Sequence, residues 1–109
     1  MREFVIKFKD PSQTAVRRDY GWFVKAKSKK ELTNRWEDQL ECIVEIKPND
    51  PLRTYIVVYR FWGFSSPLCE FNRSEREFTA RCGAEAIEML FEDFPPMLGT
   101  LSILEVKQK

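Results

Sequence analysis

The sequence predicts an α+β fold: two ββαβ repeats forming one mixed β-sheet, with two helices packed on one face. Three observations carry this reading. Short runs of alternating, β-branched or aromatic residues recur in both halves of the 109-residue chain, which is the pattern of strands. Each half also holds one segment with apolar residues at helical spacing. The runs that close the halves are nearly the same string, Ile43-Val44-Glu45-Ile46-Lys47 and Ile103-Leu104-Glu105-Val106-Lys107. By size the chain is a single domain, with pseudo-repeats at about 1–50 and 51–109.

In the first repeat, Phe4, Ile6 and Phe8 alternate with Val5, Lys7 and Lys9 and predict a strand. Asp10-Pro11-Ser12-Gln13 has the composition of a turn. Residues 14–27 read as a second strand, long or broken, with Val16, Tyr20, Trp22, Val24 and Ala26 on one face and a bulge or bend at Gly21. Ser28-Lys29-Lys30-Glu31 has the form of a capping box, in which Glu31 reaches back to the Ser28 amide. Leu32, Trp36 and Leu40 follow as the apolar stripe of a helix, and residues 42–47 read as the closing strand.

The second repeat runs in the same order. Residues 54–62 are strongly β-prone, and 78–81 form a short strand. Residues 84–94 make a helix with Ile87, Leu90, Phe91 and Phe94 on one face, stopped by Pro95-Pro96. Residues 101–107 make the last strand. Residues 24–28 align with 78–82, which sets Ser28 against Cys82 and Glu31 against Glu85.

The composition argues against most catalysis. There is no histidine, the commonest general base and metal ligand. Three widely spaced cysteines form no metal-binding pair, and no phosphate-cradling glycine motif occurs. No catalytic residue, cofactor or metal is therefore expected. The odd cysteine count and the absence of an apolar leader point to a cytoplasmic protein without a membrane segment.

What remains is binding. Fifteen aromatic residues and a long apolar connector favour a small protein-binding module. Residues 63–73 join two strands yet carry Phe64, Leu68 and Phe71, with Trp62 and Arg73 at the ends. A tight hairpin needs only two to five residues, so this connector either folds onto the core or presents a recognition surface. Trp and Arg are the residues most enriched at binding hot spots. In scale and composition the chain is similar to phage or mobile-element accessory proteins that inhibit a host protein complex.

The alternative is single-stranded nucleic-acid binding through the basic aromatic hairpin 14–30. Arg17, Arg18, Lys25 and Lys27 there interleave with Tyr20 and Trp22, combining cations with stacking surfaces. The net charge of +1 is low for a nucleic-acid binder. A homodimer that completes its sheet across an edge strand is a third arrangement. Glu85, Glu88 and Glu92 would form an acidic helix stripe.

Overall fold

The computed structural model describes residues 1–63, 73–96 and 99–109. The chain divides into two compact units, Met1–Pro51 and Leu52–Lys109. The α+β class holds. The single mixed sheet does not, because the strands form two separate three-stranded antiparallel sheets, one in each unit.

The first unit contains β1 (Arg2–Phe8), α1 (Ala15–Tyr20), β2 (Trp22–Ala26), α2 (Lys29–Trp36), a 3-10 turn (Glu37–Gln39) and β3 (Leu40–Ile46). Its sheet order is β2-β1-β3, with β1 antiparallel to both neighbours. β2 and β3 are therefore parallel to each other, and β1 lies between them. The apolar alternation of β1 has its expected consequence. Phe4 and Ile6 are fully buried and cluster with Ala26 and with Leu32 of α2, while Phe8, Val24, Trp36, Leu40 and Ile43 pack around them.

Two expectations for this unit are corrected. Residues 14–20 are not strand. The Thr14 hydroxyl accepts the Arg17 amide and starts α1. Gly21 ends α1 at φ +76°, donating its N–H to the Arg17 carbonyl. A Cβ there would sit 2.5 Å from the Ile6 carbonyl oxygen, so the site demands glycine for its conformation and for its close approach. The first unit is thus βαβαβ in order. The second correction concerns α2, which stops at Trp36. Glu37, at φ +46°, turns the chain, and Leu40 joins the same core from β3 instead of extending the helical stripe.

The second unit contains β4 (Arg53–Gly63), β5 (Arg73–Ala80), α3 (Gly83–Asp93) and β6 (Gly99–Gln108), in sheet order β5-β4-β6. On β4, Tyr55, Val57, Val58 and Tyr59 are buried. Ala84, Ala86, Ile87 and Leu90 of α3 are buried as well. The rings of Tyr59 and Phe61 both lie against Phe94, with centroids 5.4 and 4.6 Å away. Phe91, placed on the core face from sequence, is only half-buried. β5 is five residues longer at its start than the apolar pattern predicts. The charged run Arg73-Ser74-Glu75-Arg76-Glu77 pairs with β4 as an edge strand, where charges are the usual protection against stray pairing.

Candidate binding surfaces

A concavity lies in the first unit, at the end of the sheet where α2 gives way to the 3-10 turn. It has a volume of about 540 Å³ and is lined by Phe8, Lys9, Asp10, Gln13, Trp22 and Gln39. Strand pairing explains why these groups meet. Trp22 lies opposite Ile6 across β1 and β2, so its indole and the Phe8 ring emerge on the same face of the sheet. The Lys9 N–H donates to the Gln39 carbonyl at 2.9 Å and ties the 3-10 turn to the end of β1.

The polar rim is built by a turn. Asp10 Oδ1 accepts from the Ser12 N–H at 2.8 Å and from its hydroxyl at 2.7 Å. These bonds, the hydroxyl's first, hold the Asp10 carboxyl below its ordinary pKa. The Gln13 amide nitrogen donates to the carbonyls of Phe8 and Asp10, each at 2.9 Å. That orientation leaves Gln13 Oε1 buried without a hydrogen-bond partner among the described residues. Trp22 is 39% exposed, and the Arg17 guanidinium lies over its ring at 3.7 Å from the centroid. Arg17 also donates to the Gly21 carbonyl at 3.1 Å, so the helix cap and the cation–π contact share one side chain.

The residues singled out from sequence are only partly brought together. Arg17, Arg18 and Tyr20 sit on α1, not on a strand. Trp22 faces the α2 side of the sheet, whereas Lys25, three residues on, takes the opposite face. Lys27 lies just beyond β2, where its N–H is bound by Glu31. Arg17 and Trp22 are in contact, but the six residues do not share one face. In the second unit, Trp62 is 37% exposed near the end of β4. Arg73 opens β5 and pairs with Glu105 at 3.6 Å. Phe64, Leu68 and Phe71 lie outside the described residues. In the acidic stripe, Glu88 and Glu92 are exposed, but Glu85 is bound by Arg81.

Sequence reading missed the cleft because its walls come from four separate segments. The available signal was local: Thr14 followed by six residues and Gly21 marks a short capped helix. That helix folds the chain back and sets Trp22 beside Phe8. Among the described residues no helix is long and apolar enough to cross a membrane. No group of three or more His, Cys, Asp or Glu that could hold a metal ion occurs there either. No protein-family model matches the chain, and comparison with curated proteins and with solved structures finds no match.

Proposed function

We propose that this chain is a non-enzymatic protein-binding module that holds an apolar side chain of its partner between Phe8 and Trp22. The carrying observation is the half-exposed Trp22 at a cleft of about 540 Å³, a size typical of ligand sites. A large aromatic beside a concavity supplies apolar area at little entropic cost, and the exposed Gln39 offers polar groups for the partner's backbone. The 63–73 connector is a second contact surface in this reading, framed by Trp62 and Arg73. Such a module acts by occupying its partner, as a phage or mobile-element inhibitor of a host complex does. The two units are proposed to descend from one ββαβ element. Their matching helix-start carboxylates, Glu31 and Glu85, support that descent.

A second reading, single-stranded nucleic-acid binding, is favoured by the Arg17–Trp22 stack beside Lys9. Affinity capture from host lysate, with and without nuclease, separates the two. The expected result is a nuclease-resistant protein partner whose retention falls at least about tenfold with Trp22→Ala. Phe64→Ser with Leu68→Ser tests the connector in the same assay. Loss of all capture on nuclease treatment, together with oligonucleotide binding that weakens steeply with salt, would establish the second reading instead.

A further inference from the structure

We propose that the free edge of β3 is a strand-addition site. It takes an extended segment of a partner protein that is apolar opposite Ile43 and basic beside Glu37 and Glu41. The site lies apart from the Trp22 cleft and does not depend on it.

β3 is an edge strand, paired with β1 on one side only. An edge offers a row of unpaired backbone donors and acceptors, and proteins usually blunt it. β5 is blunted by Arg73, Glu75, Arg76 and Glu77, and β2 has only five residues. β3 and β6 each carry two charges beside an uncharged run, Cys42-Ile43-Val44 in β3 and residues 99–104 in β6, and Val44 is 52% exposed. β3 has in addition a groove at its side.

Beside this edge lies a groove of roughly 290 Å³ between β3 and α2, lined by Lys29, Thr33, Glu37, Leu40, Glu41, Cys42 and Ile43. A groove between an edge strand and a helix is where an added strand places its alternate side chains. The eight-residue α2 is about 12 Å long, which an extended segment covers in roughly four residues. Glu37 holds a positive φ at one end, a conformation that is rare for a residue with a side chain.

Charge selects the occupant. Glu37 and Glu41 are both exposed and have no ion-pair partner among the described residues. Glu45, two positions beyond Ile43, is already bound by Arg2 at 2.5 Å. A second copy is disfavoured. Two β3 strands paired antiparallel about Ile43 would set Glu41 of each against Glu45 of the other, and like charges directly opposite are destabilising. A basic residue beside Glu37 and Glu41 meets no such conflict, whereas Glu45 is already served by Arg2, and Lys29 lies at the α2 side of the groove.

The test uses acetyl-Lys-Thr-Val-Thr-Lys-amide, which fits in either strand direction, and its counterpart with Glu at both ends. The expected result is saturable binding of the Lys peptide only. Glu41→Lys should weaken it at least about tenfold and admit the Glu peptide. Methylating the backbone nitrogens at Val, or at both Thr, should abolish binding in one of the two cases, because an added strand uses alternate N–H groups. Trp22→Ala should leave this binding unchanged, so failure here and failure of the cleft reading are distinguishable. No saturation at millimolar peptide, equal affinity for both peptides, or indifference to both methylations would overturn the proposal. So would a dimer in solution that Glu41→Lys strengthens, which would make a second copy the occupant.

Discussion

The two units begin their main helices with the same device and then diverge. In the first, Glu31 Oε2 accepts the Lys27 N–H at 2.6 Å; in the second, Glu85 Oε1 accepts the Arg81 N–H at 2.8 Å. Each carboxylate thus binds the amide one residue before the cap, not the cap residue's own amide that a capping box would use. Beyond this start the helices differ. α2, Lys-Lys-Glu-Leu-Thr-Asn-Arg-Trp, fully buries only Leu32. α3 is eleven residues long and buries Gly83, Ala84, Ala86, Ile87 and Leu90. Glu31 pairs with Arg35 in the open, whereas Glu85 clamps an Arg81 whose side chain is only 11% exposed. Where a helix starts is written in a few adjacent residues. How much core it holds is written across its whole face.

The largest expected effect lies in that core. Leu32→Ala and Leu90→Ala each remove a fully buried side chain and should cost about 2–5 kcal/mol. Because α2 has no second fully buried side chain, Leu32→Ala should strip amide-exchange protection from the first unit while the second keeps it. Equal loss of protection across both units would instead mean that they unfold as one cooperative body.

The acidic clamp comes next. Burial raises the Glu85 carboxyl, but hydrogen bonds from the Arg81 side chain and amide outweigh this and hold its pKa below the ordinary glutamate value. Its stabilisation is therefore present above that ordinary value and is lost as the pH falls through the lowered one. Glu85→Gln should cost roughly 1–3 kcal/mol at neutral pH and flatten the acid limb of the stability curve. Glu31→Gln, at an exposed pair, should cost less than about 1 kcal/mol. Urea unfolding across pH 3 to 7 compares the two, and equal losses would erase the distinction between the clamps.

The caps give effects of about 1 kcal/mol or less, with opposite signs. The Ser28 hydroxyl accepts the Glu31 N–H at 3.3 Å, so Ser28→Ala should cost about 1 kcal/mol. Cys82 occupies the same place without a side-chain cap bond, and burial raises its thiol pKa. Cys82→Ser should gain roughly 0.5–1 kcal/mol by supplying the missing acceptor. Denaturant midpoints moving in the same direction would show that the two helix starts are not equivalent.

These contrasts also show what sequence could reveal. Strands with apolar alternation, such as β1 and β4, were legible because burial on one face imposes period two. The Ser28 cap was legible because its signal is contiguous. The Thr14–Gly21 helix was not, since six residues with only Val16 buried leave no periodic stripe, and their aromatics resemble a strand. β5 escaped because an edge strand can be almost wholly charged and still take its hydrogen bonds from β4. The single sheet failed at a further level. Pairing partners are a tertiary choice, and two closed three-strand sets satisfy the same apolar patterns as one six-strand set. The cleft was half legible: Trp22 and Arg17 were named, but Phe8, Gln13 and Gln39 reach it only through the fold.

The strand orders β2-β1-β3 and β5-β4-β6 place the first-made strand of each unit at the centre. During synthesis, β1 is made before either neighbour, and β2 is made before β3. Its sheet has all three strands once Ile46 has been added, before any of β4 is made. The second sheet repeats this order and lacks its third strand until residues 99–108 are made. Each sheet therefore depends on a strand made well after its central one, and the first set of three is complete in the chain before the second begins, so the two units can assemble in turn.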